Sequence, residues 1–343
     1  MIYIGMDVSS KEFMAHAIDE RKRRVFEGSI SPSLSGLRKL VRRLGEGPKL
    51  FAFEAGNQMK WIALALKEMK GVYIHVVHPN EVKWISHSNG KTDKVDARKL
   101  AELARGDLLP RPVHIVEGKV RELRELISAR DQLQGKRVAL VNTVRGYMKQ
   151  EGFKLPVKFF QHLDWKSKLE KFKLAETQKL ILKSFMDSID ALKASEDKIT
   201  ARLVQVEDAR LDLLETVPAI GRIASRVILS ALDNVERFDN KKSVGNYGAL
   251  APTIYQSGGN TSLGRINRDG RQEVRKVLLQ CAHTIQRTRN HHARPIREFL
   301  ERVEKRRGRK RAVVATARKL LTIAYGVLKS GEPYDPRKLY TWG

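Results

Sequence analysis

Four carboxylates in the first hundred residues have the residue types that metal-assisted phosphoryl chemistry uses. Asp7 falls in or at the end of an alternating segment, Ile2, Ile4, Met6, Val8, whose period of two predicts a strand. Glu54 closes a short apolar run, Leu50-Phe51-Ala52-Phe53. Asp93 and Asp96 stand three apart just after Thr92, a residue suited to cap a helix running to about Arg105. Residues three apart in a first helical turn share a face, and the helix dipole favours anions there. A sheet that carried both strand ends to that helix start would gather four negative charges. Their repulsion needs divalent cations to offset it. A pair of such ions about 4 Å apart serves in-line displacement at phosphorus. Taken singly, each residue has an ordinary role: a strand-end aspartate forms turns, and an aspartate pair in a first turn caps a helix. Only the set carries the chemistry.

The elements that must position these groups differ along the chain. Residues 1–112 read as α/β, with strands near 2–8, 50–54 and 72–77 and helices near 59–69 and 92–105. Residues 113–214 lose the strand signal. Apolar residues recur every three or four positions over 117–152 and again over 165–216, with Gly152, Pro156 and Asp164 in the break. This pattern predicts a long antiparallel helical hairpin or coiled coil, the alternative being a packed helical subdomain. Residues 215–343 open on Val217-Pro218-Ala219-Ile220-Gly221-Arg222, a turn like that of a helix-hairpin-helix element, which aims backbone N–H groups at phosphate. A Gly- and Asn-rich stretch follows over 245–270, then helices to about Lys329.

Composition bounds the partners. Among 343 residues, 66 are Lys or Arg and 39 Asp or Glu, giving a formal net charge of +27. Such a charge opposes compaction unless a polyanion neutralises it, and nucleic acid is the usual polyanion. More than half of the excess lies in 215–343. The run Arg306-Arg307-Gly308-Arg309-Lys310-Arg311 there reads as a phosphate-facing surface, with Arg309 and Lys310 as candidate contacts. The single cysteine, Cys281, excludes an internal disulfide and any cysteine-based zinc site; it reads as a buried helix residue. His291-His292 reads as surface. Trp61, Trp84, Trp165 and Trp342 read as packing residues rather than base-stacking ones. No apolar run reaches the ~18 residues of a membrane span. The N-terminal residues carry neither cationic leader nor apolar signal core. The expected setting is therefore a bacterial cytoplasm, with no membrane partner.

At this point the residues carry a resemblance. Gly5-Met6-Asp7-Val8-Ser9, Phe53-Glu54-Ala55 and Lys91-Thr92-Asp93-Lys94-Val95-Asp96-Ala97-Arg98 resemble the DEDD signature of a bacterial insertion-sequence transposase family. Leu250-Ala251-Pro252, Gln256-Ser257-Gly258-Gly259, Gly264-Arg265-Ile266 and Gly270 resemble its second domain, so the likeness runs in order along nearly the whole chain. The resemblance implies a RuvC-like N-terminal domain of ribonuclease-H type, with Asp7, Glu54, Asp93 and Asp96 binding two Mg2+ or Mn2+ ions. It further implies Ser257 as a nucleophile that forms a phosphoserine link to DNA. The implied partners are donor and target DNA, a noncoding guide (bridge) RNA, and a homodimer assembling to a tetramer. A serine hydroxyl is a weak nucleophile without a base or cation. Gly258 and Gly259 would admit a phosphate closely. Arg265 or Arg268, with Arg271 and Arg275 beyond, could stabilise its charge. Locally, Ser257 is also an ordinary turn residue, and Ser262 is its nearest competitor. A Holliday-junction-type nuclease that uses water, and a non-enzymatic nucleic-acid scaffold, remain the alternatives. An actin-like ATPase wants glycines after its first strand aspartate, whereas Val8-Ser9-Ser10-Lys11 follows here.

Overall fold

Ile4 and Met6 are fully buried, and Gly5 between them faces the other way, so the strand they form, β1 (Ile2–Val8), is covered on both sides. The computed structural model describes residues 1–82, 92–257, 260–267 and 269–339, with the backbone alone at 254, 257, 260, 261 and 263. The chain forms two compact units, Met1–Ile115 and Val116–Gly343.

In the first unit, β1 is followed by β2 (Phe13–Ile18), β3 (Arg24–Ile30), α1 (Leu34–Arg43), β4 (Lys49–Glu54), α2 (Met59–Lys67), β5 (Val72–Val77), α3 (Pro79–Val82) and α4 (Asp93–Arg105). The strands form one sheet in the order β3-β2-β1-β4-β5. β1, β4 and β5 run parallel, while β2 and β3 return antiparallel. Side chains alternate across the sheet. Ile4, Met6, Phe51 and Phe53 pack with Leu37 and Leu40 of α1 and Ile62 and Leu66 of α2. Ala52 on the opposite face packs with Leu100 and Ala104 of α4.

The approach of α4 to β1 is the tightest in this unit. A Cβ at position 5 would lie 1.9 Å from the Ala97 carbonyl oxygen and 2.5 Å from the Ala101 nitrogen. Only glycine lets helix backbone sit this close to strand backbone. Ala97, Ala101 and Ala104 keep the facing side of α4 equally thin. The helix runs antiparallel to β1. Its last residue, Arg105, donates from Nη1 to the Glu20 carbonyl at 3.5 Å, and Glu20 also accepts from the Met1 ammonium at 2.7 Å. The C-terminus of α4 therefore lies at the start of β1, and its N-terminus at the Asp7 end.

The second unit is mostly helical: α5 (Gly118–Gln150), α6 (Trp165–Glu170), α7 (Glu176–Gln205), α8 (Ala209–Glu215), α9 (Arg222–Leu232), α10 (Lys241–Tyr247), α11 (Gln272–Arg287), α12 (Arg294–Arg307) and α13 (Arg309–Ser330), with one ribbon of β6 (Pro252–Ser257) and β7 (Asn260–Ile266). The long helices α5 and α7 pack along each other. Glu196 of α7 is 4% exposed and accepts from Arg137 Nε of α5 at 2.9 Å. The helical run expected over 165–216 is divided into α6, α7 and α8, and one side chain accounts for the last break. Arg226 of α9, 6% exposed, donates from Nη2 to the carbonyls of Val204 and Val206 at 2.7 and 3.0 Å. Its Nη1 reaches Glu215 at 3.2 Å and the Arg222 carbonyl at 2.9 Å. The guanidinium thus receives the last carbonyls of α7, and Val206 turns extended. Cys281 is buried in α11, and burial pushes its thiol up to about 11, which removes it as a nucleophile at neutral pH.

Two of these arrangements carry measurable stability. Gly5→Ala forces α4 off the sheet and lowers unfolding free energy by at least about 1–3 kcal/mol, measured by denaturant titration; an unchanged midpoint would refute the close approach. Arg226→Ala removes the charge beside Glu215, which keeps its bond from Ser225, leaves the carbonyls of Val204 and Val206 without this donor and costs about 3 kcal/mol, whereas Arg289→Ala, a surface change, stays near neutral.

Candidate catalytic cleft and nucleic-acid surfaces

Asp7 and Glu54 lie one position beyond the last β1–β4 pair, Met6 with Phe53. They share the sheet face of Gly5 and Ala52, because the pleat repeats every two residues. Both line one cleft of roughly 540 Å³ with Val8, Ser10, Ala55 and Gln58. Asp7 is half-buried and Glu54 exposed. The cleft walls are tied to each other. Gln58 donates from Nε2 to the Ser9 carbonyl at 2.7 Å. Ser9 Oγ donates to the Glu12 carbonyl at 2.7 Å and accepts from the Glu12 amide at 3.2 Å. The Ala55 amide donates to the Val77 carbonyl at 2.8 Å.

Asp93 and Asp96 open α4 on the stripe that continues through Ala97, Leu100, Ala101 and Ala104. From Ala97 back to Asp93 is about 6 Å of helix. From Gly5 forward to Asp7 is about 6–7 Å of strand. With Ala97 over Gly5 and the two elements antiparallel, the acidic helix start lies at the acidic end of the strands. Asp96 Oδ1 is shut away from solvent, while Asp93 is exposed. Among the described residues, no three His, Cys, Asp or Glu side chains stand close enough together to hold a metal ion. The fold therefore brings Asp7 and Glu54 into one cleft and sets Asp93 and Asp96 on the facing helix, without closing the four into a ligand cage. All four offer hard oxygen donors, the set that suits Mg2+ or Mn2+, and the buried Asp96 oxygen is a donor already out of water.

The other expected residues fall in the second unit. Ser257 ends β6, where it pairs with Asn260 at the tip of the ribbon. Gly258, Gly259 and Arg268 lie outside the described residues, as do Trp84 and Trp342. Arg265 is exposed on β7. Arg271 precedes α11 and pairs with Glu273, and Arg275 is half-buried one turn later. Gly221 caps α9 through its backbone alone, and Arg222 begins that helix on the surface. The preceding turn forces Ala219 to φ 69°, a conformation uncommon outside glycine. Arg309 and Lys310 are exposed in the first turn of α13, after Lys305, Arg306 and Arg307 end α12. Cations at a helix N-terminus oppose its dipole, so an anion docked there relieves both.

Two placements escaped sequence reasoning. Gln58 bridges the two sides of the cleft, but its partner lies 49 residues earlier, and no local pattern announces that. Tyr255, on the strand that ends at Ser257, is 63% exposed, and its ring rests where a Cβ at Gly264 would be 2.7 Å away. An exposed aromatic in a Gly-rich ribbon was the available signal.

An acidic cleft on a chain of formal charge +27, together with basic surfaces that face outward, fits enzymes that work on nucleic acid, whose phosphates the cations draw in. Comparison with known proteins agrees. Residues 4–152 match the DEDD transposase profile named for IS110. Residues 211–297 match the profile described as transposase IS116/IS110/IS902 family. The chain is 24% identical to a transposase for insertion sequence element IS1111A from Coxiella burnetii, over 77% of this chain and 73% of that protein. It is 24% identical to a probable family 20 transposase from Pseudomonas aeruginosa, over 97% and 98%. It is 32% identical to a pilin gene-inverting protein from Moraxella bovis, over 37% and 39%. The chain belongs to the insertion-sequence transposases of the IS116/IS110/IS902 family, and its activity is that of a DNA transposase. Among the described residues no helix is long and apolar enough to cross a membrane.

Thr92 Oγ1 accepts from the Val95 amide at 3.4 Å and so steadies the turn that presents Asp93 and Asp96. Thr92→Ala is expected to weaken the helix start by about 1 kcal/mol, read as faster amide exchange at Val95 and Asp96. Thr92→Ser keeps the cap and should keep the protection.

Proposed function

We propose that this transposase breaks and rejoins donor and target DNA through a phosphoserine intermediate on Ser257, with Asp7, Glu54, Asp93 and Asp96 as a divalent-metal site in a RuvC-like domain. The observation that carries the reading is the meeting of two strand-end carboxylates and an acidic helix N-terminus at one end of the sheet. When bound, two Mg2+ or Mn2+ ions would polarise the phosphate and offset the charge that develops on it. The residues of the chain do the rest. Asp7 and Glu54 supply oxygen ligands from rigid strand ends, held by Gln58. Asp93 and Asp96 supply theirs from a helix start.

In the exchange itself, the Ser257 hydroxyl forms a new P–O bond while the bond from phosphorus to a deoxyribose oxygen breaks. The proton given up by serine goes to the departing oxygen. One ester replaces another, so the reverse step joins a new DNA end without ATP. Arg265, Arg268, Arg271 and Arg275 are proposed to hold the phosphate. Gly221 with Arg222, and Arg309 with Lys310, are proposed to touch the backbone of the duplex through N–H groups and charge. Gly258 and Gly259 give the phosphate close access to the ribbon tip. A noncoding guide RNA that pairs with both DNAs would set the target, leaving the protein's own recognition sequence-blind. The +27 charge supports that division of labour. Recombining two duplexes calls for several active sites, so the α5–α7 hairpin is proposed to join two chains and the dimers to pair as a tetramer.

The test separates the parts. Asp7→Ala and Ser257→Ala should each lower excision and insertion by at least about 10³-fold, while leaving nucleic-acid binding intact. Only the Ser257 change should also remove a protein–DNA adduct on a denaturing gel. Wild-type recombination by Ser257→Ala sinks the nucleophile. Metal-dependent cleavage with no adduct reassigns the chain to hydrolytic nuclease chemistry. Activity that persists in excess EDTA rules out the metal site.

A further inference from the structure

The hairpin of α5 and α7 does not end in a simple turn. Residues 151–175 wrap its end into a small lobe with an apolar core of its own. Val144 and Met148 of α5, Phe159, Leu169 of α6, and Met186 of α7 are all buried in it. Along α5, this core begins 17 residues after Ile127, the last α5 residue of the main core, which is about 25 Å of helix. The lobe also lies between the two stretches that match the family, 4–152 and 211–297.

Its surface is built in an unusual way. Val157 is 88% exposed and Leu163 wholly so, although the lobe has an aromatic cluster in which Phe160 packs against Phe159 and Trp165. Val157 is not loose. Arg145 of α5 donates from Nη1 to the Pro156 carbonyl at 2.9 Å and from Nη2 to the Val157 carbonyl at 2.6 Å, and its guanidinium sits 5.1 Å from the Phe160 ring centre. The lobe that carries the two apolar residues is also rich in lysine. Lys166 and Lys168 are taken up by Asp190 and Asp164. Lys154, Lys158, Lys171 and Lys173 are exposed and have no ion pair among the described residues.

We infer that this lobe is a separate DNA-binding surface, which takes the phosphates of a duplex on Lys154, Lys158, Lys171 and Lys173 and sets Val157 and Leu163 against the sugars of the groove. Charge decides for DNA over a protein partner. Residues 151–175 hold six lysines against three acids, and Asp164 is already spent on Lys168, so the lobe carries excess cations that suit an external polyanion, and the substrate of this enzyme is one. Small apolar side chains on a rigid, basic support are what duplex grooves accommodate. The inference is independent of the catalytic reading, since a Ser257→Ala protein should bind in the same way.

The experiment uses the full-length chain with a labelled DNA duplex, a structured RNA and anionic lipid vesicles as probes, each titrated at several salt concentrations. The combined change Lys154→Gln, Lys158→Gln, Lys171→Gln and Lys173→Gln should weaken duplex binding about tenfold or more near ~0.1 M salt. It should also flatten the log–log salt slope by about one for each phosphate no longer neutralised. Thermal melting should not change. Should the combined variant melt early, the pairs Lys154→Gln with Lys158→Gln and Lys171→Gln with Lys173→Gln give the same readout at about half the slope change. Unchanged DNA affinity and slope overturn the proposal, as does a loss confined to RNA or to vesicles. Val157→Ser with Leu163→Ser should weaken DNA binding without altering oligomeric state; an altered oligomer overturns the proposal in favour of a protein interface.

Discussion

The backbone-to-backbone approach of α4 to β1 at Gly5 is the constraint on which the acidic site depends. With the Ala97 carbonyl where a Cβ would be, the helix has no freedom to slide or lift. Its antiparallel direction is fixed at the far end by Arg105 and Glu20. Those two anchors place the Asp93–Asp96 turn at the ends of β1 and β4. A larger residue at position 5 would displace all of it together, since packed interiors transmit such shifts rather than absorb them. The acidic residues are held by small apolar residues chosen for thinness, and glycine and alanine are in that sense the positioning residues of the site.

Much of this was legible in the sequence, and the rest was hidden for physical reasons. The strand ending at Asp7, the run ending at Glu54 and the helix capped by Thr92 announce themselves through period, length and capping chemistry. β2 did not, because all six of its residues are buried and a strand covered on both faces shows no alternation. β3 did not, because it is an edge strand with mostly polar or exposed residues. The ribbon of β6 and β7 read as a Gly-rich loop: its glycines dominate the composition, while its pairing depends on partners across the turn. The break between α7 and α8 was invisible as well. It is made by Arg226, twenty residues beyond the carbonyl it receives at Val206. Of the proposed site, the carboxylates stand out in the sequence, but the links around them do not. Gln58 and Ser9 are linked across 49 residues, and no window of sequence contains both.

The second unit solves a different problem, which is to stay folded while carrying most of the excess charge. Its buried cations meet oxygens through most of their donors, although the Arg226 Nε has no hydrogen-bond partner among the described residues. Arg226 meets four oxygens, and Arg137 and Arg130 flank Glu196 between α5 and α7. Breaking such an arrangement is costly, even though forming it stabilises little over an apolar one. These groups therefore specify how the helices end and register, while the apolar cluster around Leu123, Ile228, Leu278 and Leu320 supplies the burial.

The surface cations obey the opposite rule. Surface ion pairs are worth little, so a lysine or arginine without an acid nearby forgoes almost nothing in the folded chain. It stays available to release counterions from a polyanion. The turn between α12 and α13 shows the consequence, with cations on both sides of Gly308 and at the positive end of α13. That arrangement repels itself at low salt and is relieved by phosphate. A protein built so gains its nucleic-acid affinity from charges its own fold does not need, while its acidic cleft lies in the first unit. Selectivity then cannot come from the cations, which see every phosphate alike. It has to come from elsewhere in the complex.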